Sequence, residues 1–151
     1  MGVKSAAIVR QNDVRVLRAF GEEMTVLLDG ERTAGTLAMW TAVTHPGGGP
    51  PLHYHLNEDE TLHVLEGRVA FFLDGEWSDV GPGSTAFLPR GVVHTFKNVG
   101  DKPCRMLNTA TPSGFEKFFA RCAEEFAKSG APEMSRIIQI GADHGIHFVQ
   151  D

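Results

Sequence analysis

The chain has 151 residues and a formal net charge of −5, with no run of like charges. That is the length of one ordinary domain burying roughly 68–70% of its unfolded surface, and the charge offers no basic field to nucleic acid or an anionic membrane. No stretch reaches the roughly 20 apolar residues that span a bilayer, and the opening MGVKSAAIVRQNDVRV lacks the apolar core of a signal peptide, so a soluble, cytoplasmic protein is expected.

Between about residues 6 and 110, short apolar or alternating runs are broken by Gly, Pro, Asn and Asp, the pattern of an antiparallel all-β domain. Strands are predicted at Ala6–Val9, Val14–Leu17, Met24–Leu28, Gly35–Val43, Leu52–His55, Thr61–Leu65, Arg68–Leu73, Ser84–Leu88, Val92–Lys97 and Cys104–Ala110. Leu28-Asp29-Gly30, Asp74-Gly75 and Asn98-Val99-Gly100-Asp101 carry residues that tolerate positive φ at a reversal. HPGGGPP at 45–51 is too rich in Gly and Pro for regular structure and must be a loop. After Thr111 the period changes. Phe115, Phe118, Phe119, Cys122, Ala123 and Phe126 fall on one helical stripe, Ser113 with Glu116 reads as a capping box, and Ser129-Gly130-Ala131-Pro132 stops the helix. A second helix is predicted from Glu133 to about Ala142. The aromatic stripe is expected to pack the helix against the barrel. The organisation is thus N-terminal strands over 1–34, a barrel over 35–112 and a helical extension over 113–151. Cys104 and Cys122 are too far apart for a CxxC pair and are expected to be free, partly buried thiols.

The histidines point to chemistry. On a strand, His53 and His55 share a face with Cα atoms roughly 6.5–7 Å apart, close enough for two imidazoles to meet one ion. Residues 56–59 allow a turn, after which Glu60 opens a strand that can lie beside the first. His94 follows Leu88-Pro89-Arg90-Gly91 on a further strand and adds a third imidazole if the sheet curls back. Three nitrogens and one oxygen suit Fe, Mn, Ni, Co, Cu or Zn better than Ca or Mg. An isolated His-x-His is common on surfaces and says little. The spacing around it says more: Gly47, five residues, His53, one, His55, four, Glu60, six, Gly67; then Gly83, five, Pro89, one, Gly91, two, His94, three, Asn98.

At all ten of these positions the chain resembles the cupin superfamily, strongly over residues 35–112. More weakly, TPSGFEKFF at 111–119 and DHGIHFV at 143–149 resemble the tails of small bacterial cupins of the quercetin 2,3-dioxygenase-like group. The resemblance implies an all-β double-stranded β-helix, a jelly-roll barrel with C-terminal helices outside it. It implies His53, His55, Glu60 and His94 as ligands of one divalent transition metal. Gly47, Gly67, Gly83, Pro89, Gly91 and Asn98 become turn and corner residues, for which positive φ in glycine and a fixed φ in proline are independent reasons. His63 faces away from Glu60 by parity and is expected outside. His45 could reach the pocket mouth, and His144 and His147 are expected at the surface.

Four protein ligands leave one or two metal positions for water, substrate or O2, the mark of an open site. Parity puts Phe96 on the ligand side. Met39 and Phe72, with Trp40 and Phe71 as their opposite-parity alternatives, and Phe87, Met106 and Asn108 are further candidates for a wall that would suit a planar ligand. The leading expectation is a dioxygenase acting on a flavonol-like or enol-type compound, with Glu60 both ligand and proton acceptor. The alternatives are a non-oxidative isomerase or lyase on a hydroxy-carbonyl compound, and a metal-dependent sensor or storage module. For a sensor no DNA-binding segment is apparent. A homodimer using the N-terminal strands as its edge is expected.

Overall fold

Along Ala38–Thr44 every second side chain is buried, Ala38, Trp40, Ala42 and Thr44 facing inward, the period-two pattern of a strand with one face in a core. The pattern recurs along the chain in a computed structural model that describes residues 5–150. The strands are β1 (Arg15–Ala19), β2 (Glu22–Leu28), β3 (Ala38–Thr44), β4 (His53–His55), β5 (Asp59–Glu66), β6 (Val69–Leu73), β7 (Glu76–Val80), β8 (Thr85–Leu88), β9 (His94–Asn98) and β10 (Cys104–Thr111). Helices α1 (Phe115–Phe126) and α2 (Met134–Asp143) follow, and β11 (Ile146–Phe148) closes the chain. Two antiparallel sheets, β1-β2-β3-β10-β5-β8 and β11-β4-β9-β6-β7, face each other as a jelly-roll barrel.

Three elements differ from expectation. The run Ala6–Val9 finds no partner strand and stays largely exposed and irregular. β7 was not expected because Glu-Trp-Ser-Asp-Val has no apolar alternation; it forms as an exposed edge because Asp74 (φ 51°) and Gly75 (φ 79°) turn the chain back onto β6. β11 was hidden by its three-residue length, yet it pairs with β4, setting Ile146 opposite His55 and Phe148 opposite His53.

The start of α1 also differs. Gly114 (φ 138°) is its N-cap, with no side-chain cap from Ser113. Glu116 is instead buried, and its carboxylate accepts from Gly114 N–H at 2.6 Å and Gly30 N–H at 2.7 Å. A buried charge-assisted pair of this kind ties the helix start to the turn after β2.

Two apolar clusters make the core. One, at the closed end of the barrel, joins Leu62, Val64, Val69, Phe71, Ala86, Leu88, Phe96, Cys104 and Met106. The other joins the inner face of β1–β3 to Phe118, Phe119 and Cys122 of α1 and to Ile137, Ile140 and Ile146. The helices therefore sit on the barrel with the aromatic stripe of α1 turned to its interior. Corners are tied by named groups: buried Asn98 donates to the Thr44 and Lys102 carbonyls, both at 2.8 Å, and accepts from Gly100 N–H at 2.9 Å. Gly67 (φ 90°) has no room for a side chain, since a Cβ would lie 2.8 Å from that of Cys104. Both cysteines are free and buried.

Candidate metal centre

β4 sets His53 and His55 on one buried face, and strand pairing puts His53 opposite His94 of β9. Glu60 comes from elsewhere than expected. β5 lies in the other sheet, between β10 and β8, so the carboxylate reaches the histidines from the facing wall and not from a strand beside β4. Residues 56–58 carry the chain across the barrel instead of closing a hairpin. One nitrogen from each imidazole and one Glu60 oxygen lie within 4.8 Å of one another, all four residues buried.

The outer ring nitrogens are all engaged. His53 Nδ1 lies 2.7 Å from the Pro51 carbonyl and His94 Nδ1 2.9 Å from the Val92 carbonyl, contacts that put the proton on Nδ1 and leave Nε2 a free lone pair. His55 Nδ1 lies 3.1 Å from Glu58 Oε2, and Glu58 is itself buried. A carboxylate behind a ligating imidazole fixes the ring and raises its basicity. The turn of Gly91 (φ 86°) adds a backbone tie, its N–H donating to the His55 carbonyl at 2.7 Å.

Electrostatics separate the three rings. Burial first, then the neighbouring His94 and His55, push His53 down to about 3. Burial likewise lowers His94. For His55 burial works against charge, but Glu60 and Glu58 outweigh it and raise the ring to about 10. Glu60, also desolvated, is brought down to about 2 by His55 and the other rings. His55 Nε2 and Glu60 Oε1 lie 2.6 Å apart, yet they lack hydrogen-bond alignment and remain buried without a partner. Two such orphaned atoms among three imidazole nitrogens and a carboxylate fit one divalent transition-metal ion, which would satisfy both.

The cluster opens into a cavity of about 30 Å³, walled by Trp40, Phe96, Phe115, Phe118, Phe148 and Asn108 among others. Of the wall residues proposed from sequence, Phe96 and Asn108 line this cavity. With its amide oxygen turned toward Trp40, Asn108 accepts from the indole N–H at 3.2 Å and donates to the Leu107 carbonyl at 3.1 Å. Met39 is on the outer face of β3, and Trp40 holds the inward place. Phe72 turns outward against Trp77, leaving Phe71 inside. Phe87 is 62% exposed, and Met106 is packed in the closed-end cluster. His63 lies on the outer face, bonded to Thr85 at 2.8 Å. His45 is exposed and lines an outer groove between β1 and α1. His144 takes Arg121 at 3.2 Å, and His147 packs on Tyr54, both half-buried.

Several residues escaped the sequence reading. Glu58 passed as a turn residue, though a carboxylate three positions after a ligand histidine was available as a signal. Glu22, at the start of β2, lines the cavity with Glu60. The stripe of α1, expected only to pack, also supplies Phe115, Phe118 and Phe119 to the cavity wall, and the Phe115 ring lies tilted by 44° against His55 with centroids 5.5 Å apart.

Residues 40–110 match the family model described as Cupin domain. The protein described as polyketide synthase CurC from Streptomyces cyaneus is 30% identical over 70% of this chain and 69% of its own length. The structure of the polyketide cyclase RemF from Streptomyces resistomycificus superposes with a TM-score of 0.60 at 29% identity, covering 71% of this chain and 80% of that one. Quercetin 2,3-dioxygenase from Bacillus subtilis is 28% identical over 49% of this chain and 22% of its own length. Among the described residues no helix is long and apolar enough to cross a membrane.

Proposed function

The chain belongs to the cupin superfamily, and from that membership and the chemistry of its cluster we propose a metal-dependent enzyme that acts on a small, enolisable aromatic compound, making or breaking a bond beside a carbonyl without consuming O2. The observation that carries this is a carboxylate set among three imidazoles at the foot of a cavity walled by aromatic rings. A divalent ion held by His53, His55, Glu60 and His94 would supply Lewis-acid polarisation of a substrate oxygen. Glu60, ionised throughout the neutral range, accepts a proton from the carbon or hydroxyl next to that oxygen. Trp40, Phe96 and Phe115 offer flat apolar faces to a planar substrate and keep water from the carbanion. A cavity of about 30 Å³ has room for one water, so entry of an aromatic ring requires the half-buried Phe20, Phe115 and Phe148 to turn aside.

Likeness to the polyketide cyclase RemF over most of the chain favours ring closure. A second reading, O2-dependent cleavage of a flavonol-like compound, draws on the likeness to quercetin 2,3-dioxygenase and would use the same proton acceptor. Protein loaded separately with Fe, Mn, Co, Ni and Zn separates the two. Incubated anaerobically in D2O with an enolisable aryl ketone, it is expected to exchange deuterium into the α-carbon. Oxygen uptake with a flavonol and no anaerobic exchange would transfer the assignment to the dioxygenase. Neither activity with any metal would leave a binding module without turnover. The enzyme is further proposed to act as a cytoplasmic homodimer joined at the free edge of β1, which sedimentation velocity tests.

A further inference from the structure

Among the described residues Glu22 is the only carboxylate of the cavity wall besides Glu60, and it is not one of the converging donors. It opens β2 just after the Phe20-Gly21 turn and lies opposite Thr44 of β3. It falls on the same face as buried Met24 and Val26, which directs its side chain inward. Its neighbour Glu23 is engaged by Arg18 at 3.2 Å, whereas among the described residues Glu22 has no ion pair or side-chain hydrogen bond. Glu22 also borders the open groove between β1 and α1. Glu22 thus lines both the cavity and the groove.

We propose that Glu22 is the catalytic acid of this cavity, donating a hydrogen bond to a substrate oxygen and, in turnover, passing it a proton that the groove replaces. The inference rests on the enolising reaction proposed above. The titratable or charged groups facing Glu22 are His53, Glu60 and His94 inside, Cys104 on β10, and Arg15, Arg18, Glu23, His45 and Glu124 around the groove. Glu22 as a whole is half-buried, and burial of its carboxyl first, with the charge of Glu60 second, raises that group to about 8. In the metal-free protein it therefore keeps its proton at neutral pH, while Glu60 at about 2 has lost its own. Two carboxyl groups whose surroundings drive them apart in this way divide acid and base work between them. An ion beside Glu60 would add positive charge that works against burial, so the position of the alkaline limb in the loaded protein reads the balance between them.

The step is a ring closure. Glu60 takes the proton from the α-carbon, and the electron pair left on carbon forms the new C–C bond to an acceptor carbonyl. The carbonyl π pair moves onto oxygen, and that oxygen takes the proton of Glu22. Glu60 then releases its proton to water and Glu22 regains one from the groove, restoring both groups without any redox partner.

Metal-loaded Glu22→Gln and Glu22→Asp proteins test the assignment. Metal content measured by elemental analysis is expected to match the unaltered protein, because Glu22 is no ligand. Deuterium exchange at the α-carbon, the step of Glu60, is expected to persist in Glu22→Gln while product formation falls about 10²–10⁴-fold. Glu22→Asp should recover part of it, and the alkaline limb of kcat/KM should vanish in Glu22→Gln. Product formation and a pH profile equal to those of the unaltered protein would overturn the proposal and leave the enolising reaction standing. If the unaltered protein itself neither exchanges nor turns over, the parent reading has failed, and binding of 4-nitroacetophenone, which does not ionise in this range, still judges Glu22. Followed by quenching of Trp40 in a Trp77→Phe background, affinity should fall above about pH 8 with Glu22 and stay level with Gln. Identical pH dependence in both would sink the proposal.

Discussion

His53, His55, Glu60 and His94 meet because a strand places alternate side chains on one face and because two sheets face each other. Removing one of four ligands opens the set to water, so His53→Ala and His94→Ala are expected to be isolated without the ion, and elemental analysis finding full metal content in either would refute the ligand assignment. Glu58 makes a finer test, because it meets the outer nitrogen of His55 and is not one of the four converging residues. Without that carboxylate the ring is free to turn and its lone pair is less basic. Glu58→Ala should therefore weaken metal binding about 10–100-fold while leaving all four ligands present, as competition with a chelating dye would measure. Unchanged affinity would mean that backbone packing alone orients His55. Both histidines of β4 and the proline and glycines around them were legible in the sequence because their spacing is local. The roles of Glu58 and Glu22 were not, because each depends on which distant element folds over it.

At the scale of elements, the piece least visible in the sequence is the one that closes the site. β11 is three residues long, too short for any alternation to declare it, and it is held against β4 by α2 as well as by its own pairing. Gly141 of α2 is buried against it, and a Cβ there would lie 2.6 Å from the Ile146 carbonyl oxygen. Gly to Ala inside a helix ordinarily stabilises by up to about 1 kcal/mol. Here the backbone of β11 stands in the way, so Gly141→Ala is expected to destabilise by about 1–3 kcal/mol, a sign reversal that thermal unfolding would detect. On α1, the helical period of the phenylalanines was plain, but their second use as cavity wall was not, since a stripe reads the same whether it meets a core or a pocket. Phe115 packs on Trp40 at 5.0 Å and on His55 at 5.5 Å. Phe115→Ala should cost about 2–3 kcal/mol of stability, less than a fully buried ring. It should also lower KM for bulkier aromatic substrates, and an unchanged KM would show that they enter by another route.

For the whole molecule, the buried charges set a pH range for the metal-free fold. Glu60 stands at about 2 when folded against 4.5 unfolded, so its contribution is present above 4.5 and is lost as pH falls toward 2. His53, at about 3 against 6.5, acts in the same direction: the unfolded ring takes a proton that the folded one refuses, and stability drains as pH falls from 6.5. His55 and Glu22 act in the opposite direction. His55 is raised from 6.5 to about 10 and Glu22 from 4.5 to about 8, so each stabilises below its unfolded value and loses that contribution as pH climbs through the folded one. Metal-free protein should therefore be most stable between roughly pH 4.5 and 6.5 and lose melting temperature on both sides. Metal acts on both limbs, since Glu60 and His53 are ligands too, and the alkaline limb gives the clearer test. An ion on the inner nitrogen of His55 takes the place of the proton that the ring otherwise keeps, so its stabilisation no longer requires low pH and grows as competing protons leave. The loaded protein should keep its melting temperature between pH 7 and 9, where the metal-free protein declines, and parallel alkaline curves for the two would show that the ion is not held at His55.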